Sequence, residues 1–253
     1  MRTLSKELRL DLLDLIYHSG AGHLGGSFSS LDLMIAIYFG EVFNLKFDKF
    51  ILSAGHLAPA LYVVLARAGY FPKEYLTSYA SFGSILQGHI STETPGVNYS
   101  SGSLGQGLSF SAGLALSSWH RVICLTTDGE HQEGQIWEAA QFAAKYHLGN
   151  LINIVDVNRY QIGGNTDEIM PQGDLAAKYI RFGWTVTEIN GHNFSQIISA
   201  LKKTTKSNHP NCIIARTDFG SGLSFAQNNP DFHDVKNLSE SLYLCAQHDL
   251  NQL

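Results

Sequence analysis

The sequence RVICLTTDGEHQEG, residues 121–134, decides the fold. Its apolar first half, Arg121–Thr126, predicts a buried strand, and the glycine-bearing turn after it leads into a predicted helix over Glu133–Tyr146. A second apolar run, Leu151–Val157, predicts another buried strand. A strand, a helix and a second strand in this order indicate a right-handed βαβ unit in a parallel sheet.

The same alternation continues downstream, while the first 120 residues are mostly helical. The later predicted elements are a helix over Asp174–Arg181, a strand over Trp184–Ile189, a helix over Phe194–Thr204 and a strand over Asn211–Ala215. The earlier predicted helices are Leu4–Tyr17, Leu31–Phe43 and Leu57–Ala68, and the loops between them are Gly20–Ser27, Leu52–His56 and Gly83–Thr94. We therefore expect an α/β fold, a parallel sheet flanked by helices, in one domain over residues 1–253. We expect residues 234–253 to form a short C-terminal helical extension of it.

Polar side chains stand where two predicted strands end. Asp128 follows the first strand and Asn158, 30 residues later, follows the second. Ligands of open α/β sheets bind at the carboxyl ends of the strands. A carboxylate, an amide oxygen and a backbone carbonyl suit Mg²⁺ when phosphate oxygens complete the octahedron. The helix that starts near Glu133 favours a diphosphate beside it. In the alternative interpretation, Asp128 and Gly129 form only a turn and helix cap, and Asn158 adopts a left-handed turn.

Composition excludes several classes of protein. The 253 residues are 44% hydrophobic and 15% charged, with a net charge of −5 and no basic stripe, which argues against nucleic-acid binding. No apolar run has the roughly 20 residues of a membrane span, and the N-terminus lacks a signal-peptide pattern. The three cysteines, Cys124, Cys212 and Cys245, form neither a disulfide framework nor a metal motif. We expect a cytoplasmic protein without a membrane partner.

The motif around Asp128 resembles that of a known enzyme class. Asp-Gly-Glu-x-x-Glu-Gly from Asp128, then Trp-Glu-Ala at residues 137–139 and Asn158, is similar to the diphosphate–Mg²⁺ motif of thiamine diphosphate-dependent enzymes. Further segments resemble transketolase: SGAGHLGG (19–26), SAGHLA (53–58), QGH (87–89), SGSLGQG (101–107), and GSGLSF (220–225) with NNPDFH (228–233). The resemblance covers about Leu8 to His233. It implies the thiamine diphosphate-binding fold of transketolases, of the type that binds the diphosphate.

The resemblance also implies the site residues. Four histidines, which can donate, accept or transfer protons near neutral pH, would line the substrate channel as catalytic residues: His23, His56, His89 and His233. The cofactor-binding residues would be His56, Gly102, Leu104, Thr127, Asp128, Gly129, Glu133, Asn158 and Ile162. The metal, Mg²⁺ or in its place Ca²⁺ or Mn²⁺, would be bound by Asp128, Asn158 and Tyr160.

Two of these positions have more than one interpretation. Thr127 stands where the family usually has glycine, so its side chain lies where backbone would approach the diphosphate, and its hydroxyl could donate to phosphate. Glu133 is either a favourable first-turn acid or, by resemblance, a member of a carboxylate network at a dimer interface. The glycines between Gly102 and Gly107 fit a dinucleotide-binding motif poorly, because no strand precedes them.

The chain resembles only the first part of a full-length transketolase. The resemblance implies a partner, a C-terminal transketolase-like subunit that supplies the pyrimidine-binding domain and the activating glutamate, in an α2β2 assembly. We expect transfer of a two-carbon ketol (or acyl) unit between a ketose donor and an aldehyde acceptor, with sugar phosphates as substrates. The alternatives are the α subunit of a 2-oxo acid dehydrogenase E1 and a non-catalytic module that retains the fold. The sequence does not identify the donor or the acceptor.

Overall fold

A computed structural model describes residues 1–44, 46–204 and 208–253. Its strands are β1 (Ala21–Gly22), β2 (Lys49–Leu52), β3 (Val122–Thr127), β4 (Leu151–Val157), β5 (Tyr160–Gln161), β6 (Gly164–Asn165), β7 (Thr185–Asn190), β8 (Asn211–Arg216) and β9 (Val235–Lys236). Its helices are α1 (Arg2–Ser19), α2 (Leu24–Phe39), α3 (Ala58–Arg67), α4 (Gln106–Ser117), α5 (Gly134–Lys145), α6 (Thr166–Ile169), α7 (Leu175–Arg181), α8 (Phe194–Lys203) and α9 (Glu240–Gln252). In these ranges no helix has the length and hydropathy to span a bilayer. The cytoplasmic location stays a prediction.

The main sheet confirms the predicted α/β fold. Five parallel strands lie in the order β2-β3-β4-β8-β7. In the register of β3 with β4, Thr127 lies opposite Asp156. The polypeptide therefore leaves these two strands at neighbouring points of one sheet edge, and Asp128 and Asn158 emerge side by side.

Helices cover both faces of the sheet, and alternate residues of β3 contact opposite layers. Ile123 and Leu125 belong to the core beneath α1, α2, α3 and α8, whereas Val122 and Cys124 belong to the core beneath α4, α5 and α7. A strand buried on both faces reads as a continuous apolar run, which is why the sequence predicted β3 within one residue. Cys124 and Cys212 are buried, as small apolar residues in strands should be.

One prediction in the N-terminal part was wrong, and one strand was missed. The second helix begins at Leu24 and ends at Phe39, not at Leu31 and Phe43, so the end of the predicted Gly20–Ser27 loop is helical. Glycine is unfavourable inside a helix, but Gly25 is needed there because the buried Phe219 ring packs directly against its backbone. The strand β2 was not predicted, since it has only four residues and follows a polar turn.

The C-terminal extension is tied to the start of the chain. Before the predicted helix, Val235 and Lys236 form the short strand β9, which pairs antiparallel with β1. The helix α9 then packs on α1, where the rings of Tyr17 and Tyr243 stack with centroids 4.0 Å apart and the Tyr243 hydroxyl donates to Asp14 at 2.7 Å. The pairing of β9 with β1 holds the residues just before it, including His233, near the start of α2.

We predict that Gly25→Ala destabilises the chain. A Cβ at this position would lie 2.1 Å from the Phe219 ring, so the ring or the helix must move, at a cost of about 1–3 kcal/mol in the free energy of unfolding. Urea denaturation measures the change. Gly113→Ala in α4 is the matched control: nothing lies within 4 Å of its Cβ, and we expect it to be about 0.5–1 kcal/mol more stable than wild type. Equal effects of the two substitutions would contradict the close approach at Gly25.

Candidate cofactor and substrate site

A cavity of about 280 Å³ opens at the carboxyl edge of the sheet, between the loops that follow β2, β3 and β4. Its walls include all of the predicted catalytic residues and all of the predicted cofactor residues except Asp128. These lining residues are His23, His56, His89, Gly102, Leu104, Thr127, Gly129, Glu133, Asn158, Tyr160, Ile162 and His233. Asp128 lies behind the wall formed by its neighbours and is 3% exposed. Residues from separate stretches of sequence therefore meet in one place.

The four predicted histidines form a cluster of imidazole rings. The ring centroid of His23 lies 5.0 Å from that of His56, 6.0 Å from that of His89 and 5.4 Å from that of His233. In the part of the chain that the structure describes, none of the four rings hydrogen bonds to another protein group, and the Nδ1 atom of His233 is buried without a partner. Nitrogens with no protein partner are available to a bound molecule.

Each histidine is held by a different local structure. His23 immediately precedes α2, and His56 lies in the 3-10 turn Gly55–Leu57. The segment of His89 is fixed by the Tyr62 hydroxyl, which donates to the Gln87 carbonyl at 2.9 Å. His233 follows a 3-10 turn capped by Asn229, and its ring stacks on Phe219 with centroids 6.1 Å apart. The close approach of Phe219 to Gly25 thus also sets the position of the His233 ring.

The cluster favours neutral imidazoles. Burial, with the neighbouring His233 and His89 rings, lowers the pKa of His23 to about 4, although Asp234 opposes the shift. Burial also lowers the pKa of His56 well below its usual value, and that of His233 in the same direction. A neutral imidazole has one N–H donor and one acceptor nitrogen. The cluster can therefore hold hydroxyl and carbonyl oxygens and exchange protons with them at neutral pH.

Asp128 and Asn158 are adjacent, as predicted. The Oδ2 atom of Asp128 accepts hydrogen bonds from the Arg159 N–H at 2.9 Å and the Thr166 hydroxyl at 3.0 Å. The side-chain oxygen of Asn158 accepts from the Tyr160 N–H at 2.9 Å. Arg159 adopts φ +67°, the left-handed turn that brings its N–H back towards the carboxylate. The sequence alternative in which Asn158 itself adopts the left-handed turn was wrong by one residue.

The Asn158 side chain is held by a second buried carboxylate, that of Asp156. Its amide nitrogen donates to Asp156 at 3.3 Å and to the Ser29 hydroxyl at 3.2 Å. Asp156 also accepts hydrogen bonds from Ser29 at 2.6 Å and from Thr217. With its nitrogen fixed on this side, the amide presents its oxygen on the other. Asp156 was not predicted from the sequence, in which it is one polar residue within an apolar strand.

The oxygen atoms around Asp128 suit a divalent cation. Burial and the nearby Asp156 raise the pKa of Asp128 to about 7. Among the described residues, neither carboxylate forms an ion pair with lysine, arginine or histidine. A bound divalent cation would supply the missing positive charge. Carboxylate, amide and carbonyl oxygens from Asp128, Asn158 and Tyr160 are the ligand types that Mg²⁺ prefers, so the residues fit the predicted metal.

Thr127 is fixed by its backbone, not by its side chain. Its carbonyl accepts from the Nδ1 atom of the buried His131 at 2.7 Å, which leaves Nε2 as the acceptor for the Tyr179 hydroxyl at 2.9 Å. Asn153 donates in turn to the Tyr179 oxygen at 2.9 Å. Burial lowers the pKa of His131 to about 4, consistent with this neutral tautomer. Within the described ranges the Thr127 hydroxyl has no hydrogen-bond partner, so it is free to donate to a ligand in the cavity that Thr127 lines.

Two acidic residues of the motif differ in position. Glu133, predicted to bind cofactor or join a carboxylate network, is exposed at the start of α5, where its side chain makes no capping hydrogen bond. Glu130, to which the sequence analysis gave no role, is fully buried behind the cavity wall and accepts three hydrogen bonds. The sequence offers little sign of this difference, because both glutamates stand in the same polar turn.

Comparison with known proteins agrees with this geometry. The family model described as "Transketolase, thiamine diphosphate binding domain" matches residues 2–121 and 117–241. The chain belongs to the transketolase family. It is 36% identical over 242 residues to one subunit of the apulose-4-phosphate transketolase of Phocaeicola vulgatus, covering 90% of this chain and 86% of that protein. It is 38% identical over 254 residues to the 6-deoxy-6-sulfo-D-fructose transketolase subunit SqwG of Clostridium sp., covering 95% and 92%.

Full-length transketolases are similar over only part of their length. The human transketolase is 31% identical over 261 residues, which cover 96% of this chain and 41% of that protein. The crystal structure of the transketolase from Campylobacter jejuni superposes with a TM-score of 0.91 at 26% identity, covering 99% of this chain and 42% of that one. The chain therefore spans about two fifths of the length of these full-length transketolases and most of the length of the separate subunits.

We predict that the His23 ring, which is held neutral, contributes a loss of stability in acid to the cofactor-free chain, whereas Asp128, whose pKa is raised, contributes in the opposite direction. The pKa of His23 is about 4 when folded and 6.5 as the reference value, so the unfolded chain binds more protons between these values. The stabilisation is complete above pH 6.5 and is lost as the pH falls towards 4. At pH 5 we expect His23 alone to account for roughly 1–2 kcal/mol of the loss.

Urea denaturation at pH 7 and pH 5 measures this effect. The change in the free energy of unfolding from pH 7 to pH 5 should be more favourable in His23→Gln than in wild type by roughly 1–2 kcal/mol. His248→Gln, which changes an exposed histidine on α9 outside the cavity, should show the wild-type change. An unchanged pH dependence in His23→Gln would show that the His23 ring is not held neutral.

Proposed function

We propose that this chain is the diphosphate- and Mg²⁺-binding subunit of a two-subunit thiamine diphosphate-dependent transketolase. With its partner it transfers a two-carbon ketol unit from a ketose donor to an aldehyde acceptor. The observation that carries the proposal is the convergence on one cavity of four histidines with the Asp128–Asn158 oxygen set. The subunit relatives, of which the chain covers 86% and 92%, support a separate partner.

The residues of this chain would divide the work between cofactor and substrate. Asp128, Asn158 and the Tyr160 carbonyl would hold Mg²⁺, and the start of α5 with the Thr127 hydroxyl would face the diphosphate. When bound, thiamine diphosphate supplies the carbanion chemistry that breaks and forms the carbon–carbon bond. The four imidazoles would orient the hydroxyl and carbonyl oxygens of the ketol unit and move protons to and from them.

The cavity wall also suggests how the substrate is shared between subunits. None of the described residues that line it is lysine or arginine. The histidine cluster suits the uncharged, hydroxylated end of a ketose, so we assign recognition of the anionic end to the partner. The names of the two relatives fit this division, since one acts on a phosphate ester and the other on a sulfonate. The identity of the anionic group would then be decided outside this chain.

The outer face of α4 and α5 is the surface we assign to the partner. Both helices begin at the cavity, after Gly105 and Glu133. The α4 sequence contains no charged residue, and large apolar side chains are exposed along the two helices and just beyond them: Phe110, Leu116, Trp119, Phe142 and Tyr146. A surface that is uncharged along α4, with only Glu138 and Lys145 charged on α5, and that leads directly to the cavity suits a subunit that must reach the cofactor. We propose an α2β2 assembly on this basis and by analogy with the family.

The two alternatives from the sequence differ in their support. The relatives found are transketolases and their subunits, which favours ketol transfer over the decarboxylation catalysed by a 2-oxo acid dehydrogenase E1. A non-catalytic module that retains the fold is an outcome of the binding test below. The intact oxygen set around Asp128 favours a working cofactor site, with Thr127 as part of the cavity wall.

Titration calorimetry of thiamine diphosphate with Mg²⁺ tests the proposal. We expect tight binding to a mixture of this chain and a C-terminal transketolase-like partner subunit, and weak or no binding to this chain alone, because the partner completes the site. Ketol transfer is then assayed in the mixture with phosphorylated and sulfonated ketoses. If the mixture does not bind the cofactor, Thr127→Gly separates the two explanations. Binding restored by glycine would indicate a site blocked by Thr127, and continued failure would indicate a non-catalytic module or a wrong partner.

We predict that Asp128→Ala abolishes Mg²⁺-dependent cofactor binding in the mixture. The substitution removes the only carboxylate of the proposed ligand set, so the diphosphate loses its bridging cation. We expect the dissociation constant to rise at least about 100-fold, since losing a buried charged partner costs about 3 kcal/mol or more. Asp11→Ala is the control, because Asp11 pairs with Lys73 on the surface of α1, away from the cavity. Tight binding by Asp128→Ala would contradict the metal assignment.

A further inference from the structure

The buried carboxylate of Glu130 joins three loops of the cavity. Its Oε1 atom accepts hydrogen bonds from the Ser53 hydroxyl at 2.6 Å and the Gly105 N–H at 2.9 Å. Its Oε2 atom accepts from the Thr127 N–H at 3.0 Å. The side chain is 0% exposed, and within the described part of the chain it forms no ion pair.

Each of the three donors stands next to proposed site residues. Ser53 directly follows β2 and is three residues before His56. Gly105 directly follows Leu104 at the start of α4. Thr127 directly precedes Asp128. The β2–β3 ladder already joins the first and third of these segments, since the Ser53 N–H donates to the Leu125 carbonyl at 2.9 Å, but Gly105 belongs to no strand. A single side chain that accepts from all three can therefore fix their relative positions.

Further hydrogen bonds extend this network around Glu130, which is called the junction below. The Ser53 hydroxyl accepts from the Gly107 N–H at 3.2 Å while donating to Glu130. The Leu104 carbonyl accepts from the Gln135 side chain at 2.7 Å, which ties the same loop to α5. Gly105 has φ +81°, and a Cβ there would lie 2.8 Å from that of Glu133, so the loop passes α5 with little clearance.

We infer that Glu130 is a positioning residue that holds the Ser53, Gly105 and Thr127 loops in the arrangement the thiamine diphosphate cofactor requires. The inference rests on the proposed function, because the three loops carry the proposed cofactor residues. Glu130 does not itself line the cavity and acts through the backbone of residues that do.

The chemistry of the junction requires a carboxylate. Three donors point at two oxygen atoms, and an ionised carboxylate is the side chain that only accepts hydrogen bonds. Glutamine has nearly the same shape, but its NH₂ group must face either the Gly105 N–H or the Thr127 N–H. The glutamine NH₂ group would then face a backbone N–H in a buried place, with no acceptor for either. An apolar side chain would leave all three donors without an acceptor.

The unpaired donor in Glu130→Gln should weaken cofactor binding. Without cofactor, the loops of a Glu130→Gln variant can separate so that water reaches the unpaired N–H. Binding requires the loops to return, and the N–H must then be buried without a partner. We expect the dissociation constant for thiamine diphosphate with Mg²⁺, measured with the partner present, to rise roughly 10- to 100-fold. The kcat at saturating cofactor should stay within about threefold of wild type, because the bound arrangement is the same.

A matched control and a double-mutant cycle separate positioning from a general loss of stability. Glu74→Gln makes the same chemical change at an exposed residue and should bind cofactor like wild type. Ser53→Ala removes one donor and should weaken binding roughly 3- to 10-fold. The effects of Glu130→Gln and Ser53→Ala should be less than additive in the double variant, because both disrupt one junction. Additive effects, or a lowered kcat with unchanged affinity, would overturn the inference.

Amide hydrogen exchange on the cofactor-free chain tests the junction without any activity. In wild type, the Gly105 and Thr127 amides should be protected, and in Glu130→Gln both should exchange faster while β4 amides keep their protection. If Glu130→Gln does not fold, Ser53→Ala gives the same comparison at Gly105 and Gly107. Unchanged exchange in the variants would overturn the inference. If the wild-type mixture binds no cofactor, the proposed function fails, and exchange still decides whether the junction exists.

Discussion

The site depends on the parallel register of β3 and β4. Because Thr127 lies opposite Asp156, the residues that follow the two strands leave the sheet together, and the Asp128 carboxylate can accept a hydrogen bond from the Arg159 backbone. A shift of the register by one residue would turn the two ends to opposite faces of the sheet. Ladder hydrogen bonds and apolar layers on both faces fix the register, so the most polar part of the molecule depends on its most apolar part.

Three buried carboxylates lie at the carboxyl edge of the main sheet. Asp128, Asp156 and Glu130 are all buried, and hydrogen bonds from hydroxyls, amides and backbone N–H groups satisfy them without ion pairs in the described residues. Such carboxylates are costly to bury. Three converging donors reduce this cost at Glu130, and a cation bound at Asp128 would reduce it there. The cavity wall also lacks lysine and arginine among its described residues, so under the proposed function no such side chain there would compete with the histidine cluster for substrate oxygens.

The sequence predicted the parts of the structure that follow from local rules. The strands β3 and β4 and the helix α5 were found within one or two residues, because apolar runs and glycine turns mark them directly. The convergence of His23, His56, His89 and His233 could be expected only from resemblance, since they are up to 210 residues apart and periodicity carries no information on long-range contacts. The early start of α2 was missed, because two glycines predict a loop unless the Phe219 ring that packs on Gly25 is known.

The roles of Glu130 and Asp156 were beyond the reach of sequence reasoning for a related reason. Each accepts hydrogen bonds from residues more than 50 positions away. The apolar run of β4 indicates that Asp156 is buried but not which residues it contacts, and the polar turn around Glu130 does not indicate burial at all. Both hold in place groups that face the cavity without facing it themselves. The chain thus supplies a cofactor-binding half-site with rigid support from its own core, while Ile162, 76% exposed, and the uncharged α4 face remain at its mouth. A partner that covers this mouth would exclude water from the histidine cluster and complete a site whose internal order is already set by this chain.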